Sequence, residues 1–60
     1  MLIQKNARGY IIRRTHRKHG QFYYFTGIKD GQPVFMSDHT HAKAYSTEAA
    51  ARKKAEELKQ

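Results

Sequence analysis

The 60-residue chain predicts an α+β domain in the order β-β-β-α: a three-stranded antiparallel sheet over residues 9–36, with one C-terminal helix, residues 46–59, packed on one face. Three observations carry this expectation. The runs YIIRR at 10–14 and QFYYFTGI at 21–28 concentrate the β-branched and aromatic residues that suit a pleated, half-buried surface. Asp30-Gly31, between QFYYFTGI and PVFM, is the dipeptide that a two-residue type I′ hairpin turn requires. The segment STEAAARKKAEELK then changes to helical spacing.

Each element follows from its residues. Residues 1–8 carry no strong periodicity and are expected as a flexible arm before the sheet. The stretch THRKHG joins the first two strands, and Gly20 in it can adopt the left-handed conformation of a bulged hairpin loop. Pro33 has no amide hydrogen to donate, which starts the third strand at PVFM, 33–36, and puts it at a sheet edge. After the loop SDHTHAKA, Ser46 or Thr47 can cap the helix, while Glu48 and Lys59 suit its positive and negative ends. Ala50, Ala51, Ala55 and Leu58 fall on one arc, with Glu48–Arg52 and Lys53–Glu57 as i,i+4 pairs. Lys54 lies inside the apolar arc and has to run its ammonium out to water.

The sheet carries more apolar surface than one helix can cover. With a regular turn at Asp30-Gly31, Phe22, Tyr24, Ile28 and Phe35 share one face, and Tyr23, Phe25, Val34 and Met36 the other. A helix of about four turns covers one of these. The expected arrangement puts Ile12, Tyr24, Ile28 and Phe35 beneath the helix and leaves Tyr23 and Phe25 outside, near Arg13. An exposed aromatic face marks an interaction site, unless loop 37–44, the segment Leu2 to Gln4 or a second subunit covers it.

Charge narrows the class of partner. The net charge is +7, and residues 1–20 hold Lys5, Arg8, Arg13, Arg14, Arg17 and Lys18 with no acid. Such local positive charge fits an anionic polymer better than general solubilisation. Arg13, Arg14, Arg17 and Lys18, on the first hairpin, are therefore the first candidate nucleic-acid contacts. Arg8 and Lys5 would reach out from the arm, and Tyr23 and Phe25 would stack or pack against bases. A two-stranded ribbon or sheet can enter the major groove of DNA, where arginine can read guanine; of the two nucleic acids, DNA stands ahead of RNA as the expected partner. The competing expectation is a non-catalytic interaction module, either a homodimer or an adaptor for an acidic host protein.

Two resemblances bear on this. Three short strands, a basic first hairpin and a helix opening through AYSTEAAARKKAEEL resemble the arm-type DNA-binding domains of tyrosine-family phage integrases, where a segment similar to F-x-T-K-x-E-A starts the helix. Tyr45, Thr47 and Ala49 or Ala50 hold the matching positions, whereas Glu48 replaces the lysine and the next acid is spaced differently. The chain also resembles the short accessory reading frames of lambdoid temperate phages, which implies a phage or bacterial source and the cytoplasm of a bacterial host.

Other classes receive little support. The absence of cysteine removes disulfide and thiolate-zinc frameworks and fits a reducing compartment. No apolar stretch is long enough to span a bilayer, and MLIQKNARG lacks a secretory pattern, so no membrane partner is expected. His16 with His19, and Asp38 with His39 and His41, have no specific metal-ligand spacing, and basic neighbours of the first pair would repel a cation. Two aspartates and three glutamates, with no nucleophile–base pattern, point away from an enzyme. No cofactor and no small-molecule ligand are expected.

Overall fold

The computed structural model describes residues 1–16 and 20–58. Its sheet has four antiparallel strands in the order β1-β2-β3-β4: β1 (Leu2–Asn6), β2 (Gly9–His16), β3 (Gln21–Lys29) and β4 (Gln32–Met36). The fold is α+β with one C-terminal helix, as expected, but residues 1–8 are not a loose arm. They form β1 and a tight turn in which the Asn6 side chain accepts hydrogen bonds from the amides of Arg8 (2.9 Å) and Gly9 (3.1 Å). An asparagine oxygen used in this way closes a turn without needing the Gly-rich signal of the second hairpin.

The turn at Asp30-Gly31 forms as its residue types dictate, with φ of 52° and 76°. Just before it the strand pairing is irregular. Gly27 lies opposite Val34, but Phe25 lies opposite Phe35, which leaves Thr26 as the extra residue of a bulge. Its hydroxyl donates to the Val34 carbonyl at 3.1 Å. Gly27 has a φ of 152°, a conformation open to glycine and strained for other residues.

That single extra residue reverses the predicted faces of the middle strand. Phe25 is turned inward and is only 1% exposed, packed with Ile12, Ala51 and Ala55, while Ile3, Tyr10, Phe35, Tyr45 and Leu58 surround the cluster. The rings of Phe25 and Phe35 meet edge to face at 5.8 Å. Of the four residues expected under the helix, Ile12 and Phe35 are there. Tyr24 faces the other way, and Ile28 lies beyond the core at 57% exposure.

Helix α1 (Glu48–Leu58) covers this inner face. Thr47 is its cap, because the hydroxyl accepts from the Ala50 amide at 3.2 Å and the carbonyl from the Ala51 amide at 3.3 Å. Ala51 and Ala55 are buried, and their small side chains let the helix lie close to Phe25. Ala50, placed on the arc by sequence, is exposed. Glu48 pairs with Arg52 at 3.1 Å, whereas the ammonium that reaches Glu57 (2.9 Å) is that of Lys54. Lys59 lies outside the described residues.

Between β4 and α1 the chain crosses the sheet. Strands β2 and β3 pair from Arg13↔Tyr24 to His16↔Gln21. Below Arg13 they part, and residues 42–45 take the ladder groups they no longer offer each other. Tyr10 exchanges both backbone bonds with Tyr45 (2.9 and 2.8 Å), and the Lys43 amide donates to the Phe25 carbonyl at 2.9 Å. The approach is close enough that a Cβ on Gly9 would lie 2.5 Å from the Tyr45 carbonyl oxygen. Ahead of this crossing, a 3-10 turn, His39–His41, sits beside β3 on the outer face. No helix among the described residues is long and apolar enough to cross a membrane.

Candidate nucleic-acid interface

Side chains alternate along each strand, so residues paired across all four strands share a face. One such row, Leu2↔Arg13↔Tyr24↔Met36, runs across the whole sheet on the face opposite α1. Leu2 and Met36 at its ends are 55% and 42% exposed. Phe22, two residues from Tyr24 and therefore on the same face, is 44% exposed.

Arg13 occupies the middle of this surface. Its guanidinium carbon is 4.3 Å from the centroid of the Phe22 ring, a distance at which the cation is attracted by the π face. One terminal nitrogen donates to the Gln4 side-chain oxygen at 3.4 Å, and Nε is buried with no hydrogen-bond partner among the described residues. Tyr24 stands edge-on to His39 at 6.2 Å, so the 3-10 turn walls one side of the strip. Further along the outer face, Ile11 and Ala42 are buried.

The register also frees part of the basic hairpin. Leu2, at the start of β1, pairs with Arg13, and Met36, at the end of β4, pairs with Tyr24. Residues 14–16 and 21–23 consequently form a two-stranded ribbon beyond both edge strands. Arg14 lies on its helix-side face with its guanidinium 5.0 Å from the Phe35 ring, and Tyr23 lies on that same face. The Tyr23 hydroxyl donates to Gln21 at 2.9 Å. Arg17 and Lys18 lie outside the described residues, as does His19.

The remaining candidates are placed elsewhere. Phe25 is in the core and has no surface to offer a ligand. Arg8 donates one terminal nitrogen to the Thr40 carbonyl and the other to the Ala42 carbonyl (3.2 Å), which ties the first turn to the 3-10 turn. A surface cavity of about 210 Å³ between Asn6, Arg8, His39 and Thr40 marks that seam. Lys5 is exposed on the helix-side face, with its ammonium 5.8 Å from the Tyr10 ring.

Thus Arg13 is joined by Phe22 and Tyr24, not by Tyr23 and Phe25. The signal that identifies the right pair is Gly27, because a glycine inside a strand marks a bulge and a bulge reverses the faces that follow.

The perturbed ionisable groups lie away from this strip or at its border. The Asp38 carboxylate accepts from the Thr40 hydroxyl (2.7 Å) and amide (2.9 Å), and these bonds hold its pKa below the ordinary value. His41 is 3.6 Å from the same carboxylate. Among the described residues no three His, Cys, Asp or Glu side chains group closely enough to hold a metal ion. On the helix side, the hydrogen bond between Lys54 and Glu57 raises the lysine and lowers the glutamate. Burial raises the Tyr45 phenol, against the opposing charge of Lys54.

No protein-family model matches the chain, and no curated protein and no solved structure matches it. Its functional reading therefore rests on its own surface.

Proposed function

We propose that this protein binds nucleic acid, DNA ahead of RNA, through the basic β2–β3 hairpin and the sheet face at its root. The observation that carries the reading is the half-buried Arg13 guanidinium against the exposed Phe22 ring, in a row whose ends Leu2 and Met36 are open to solvent, on the part of the chain whose first 20 residues hold six cations and no acid. Arg13 and Arg14 flank the ribbon on its two faces, and the sequence between its strands adds Arg17 and Lys18, which lie outside the described residues. Cations on both sides can neutralise phosphates along a strand that passes over the ribbon, with release of counterions. DNA is placed first on the resemblance of the helix start to integrase arm-type domains, and the same resemblances give the protein a phage-type accessory role, without catalysis, in the bacterial cytoplasm.

The exposed side chains of Leu2, Phe22 and Met36 favour a second reading, an interaction module that pairs with its own copy or docks on an acidic host protein. Fluorescence anisotropy with a labelled mixed-sequence oligonucleotide, repeated across salt concentrations, separates the two. Nucleic-acid binding gives affinity that falls steeply with salt, and joint replacement of Arg13, Arg14, Arg17 and Lys18 by Ala flattens the slope. An interaction module gives no anisotropy change at moderate salt and, if it self-associates, a mass in sedimentation that rises with concentration.

A further inference from the structure

Resting on the reading just given, we infer that the Leu2–Arg13–Tyr24–Met36 row with Phe22 is a stacking platform for unpaired bases, and that its ligand is single-stranded DNA. The chemistry of the row decides between strand forms. A duplex presents base edges in its grooves and asks for hydrogen-bonding groups to read them. Here the edge-reading groups are the guanidinium of Arg13 and the hydroxyl of Tyr24, whereas Leu2, Phe22 and Met36 offer apolar or aromatic surface. An unpaired strand exposes the faces of its bases, which stack on aromatic rings and on arginine guanidinium planes irrespective of sequence.

Shape and charge point the same way. The row spans four strands, about 14 Å at the usual inter-strand spacing, and the 3-10 turn at His39 borders it. This is a short strip with a wall, suited to a few splayed nucleotides. Arg13 is already held between the Phe22 ring and the Gln4 oxygen, so little ordering is needed when a base arrives. A second copy of the chain is a poorer occupant. A two-fold interface sets the same patch against itself and would bring the Arg13 guanidinium, set in the middle of the row, towards its own image.

The test compares one mixed sequence of roughly 12 nucleotides, within the span of known single-strand sites, as single-stranded DNA, as a DNA duplex and as single-stranded RNA. The intact protein should bind the DNA strand at least several-fold more tightly than the duplex. Phe22→Ala should weaken that binding by roughly 5- to 150-fold, the range that one stacked base contributes. Phe22→Leu should weaken it similarly, because it keeps apolar bulk and removes the ring, and Phe22→Tyr should restore it. Circular dichroism of each variant verifies the fold. Tighter binding of the duplex, or full affinity in Phe22→Leu, overturns the platform and leaves general nucleic-acid binding standing; tighter binding of the RNA strand overturns DNA as its ligand. Failure of the intact protein to bind any of the three overturns both.

Discussion

The guanidinium of Arg13 lies over the ring of Phe22, 4.3 Å from its centroid, on the sheet face that helix α1 leaves open. Its neighbour Arg14 lies on the opposite face, over Phe35. Two consecutive arginines thus belong to different surfaces, and only the first shares one with exposed aromatic area. If that surface is the binding face, Arg13→Ala should cost about 1–3 kcal/mol of affinity for single-stranded DNA, since it removes a charge and a stacking plane together. Arg14→Ala should cost less and act mainly on the salt dependence. Equal losses in the two variants, measured by anisotropy at several salt concentrations, would contradict this division.

The two phenylalanines of QFYYF should separate stability from binding. Phe25→Ala empties the centre of the core and is expected to cost about 3–5 kcal/mol of folding free energy, a large share of what a small domain has. Phe22→Ala removes a half-exposed ring and should cost no more than about 1 kcal/mol. Urea denaturation followed by circular dichroism measures both. Comparable destabilisation by the two changes would mean that the bulge does not set the faces as described.

How much of this was legible in the sequence depends on where parity could be counted. Asp30-Gly31 and the left-handed Gly20 (φ 65°) announced their turns, and the spacing of Ala51, Ala55 and Leu58 announced the buried side of the helix. Counting back from Asp30 as if the strand were regular put Tyr24 inside and Phe25 outside, because one extra residue at Thr26 inverts every position before it. The strand LIQKN was hidden for a different reason. It is short, and Asn6 closes its turn through a side-chain oxygen that no Gly-containing dipeptide advertises. The role of Arg8 depends on a loop more than 30 residues away, a contact that no local pattern encodes.

Gly9 should be the least replaceable glycine. It has a φ of 134°, and any Cβ there would collide with the Tyr45 carbonyl that the Tyr10 amide binds. Gly9→Ala should therefore open the crossing of residues 42–45 between β2 and β3 and destabilise the fold by several kcal/mol, as strain and a displaced backbone combine. Gly31→Ala, with open space at its Cβ, pays only the left-handed backbone and should cost about 1–2 kcal/mol. The check is thermal unfolding of both variants, together with hydrogen exchange at the Tyr10 and Tyr45 amides. Unchanged protection of those amides in Gly9→Ala would contradict the role assigned to the close approach.

Acid should loosen the 3-10 turn and the last turn of α1. Asp38 is held below its ordinary pKa by the Thr40 hydroxyl and amide, and Glu57 by its hydrogen bond from Lys54. A carboxylate lowered in the folded state stabilises above its unfolded value, about 4, and that contribution is lost as pH falls through the lowered folded value. Lys54, raised by Glu57, behaves inversely, with its contribution present below its unfolded value and lost as pH rises through the folded one. The melting temperature should decline as pH drops below about 4, and Asp38→Asn should make that decline shallower. An identical acid limb in Asp38→Asn, followed by circular dichroism, would remove the carboxylate from the account.

The central claim, that the open row of the sheet binds nucleic acid, is tested most directly by an amide NMR titration of the intact protein with a short single strand of mixed-sequence DNA. The expected shifts concentrate at Leu2, Arg13, Phe22, Tyr24 and Met36 and along the β2–β3 hairpin, with Ala51 and Ala55 beneath the helix unmoved. Absence of shifts at moderate salt, or shifts centred on the helix, would contradict it.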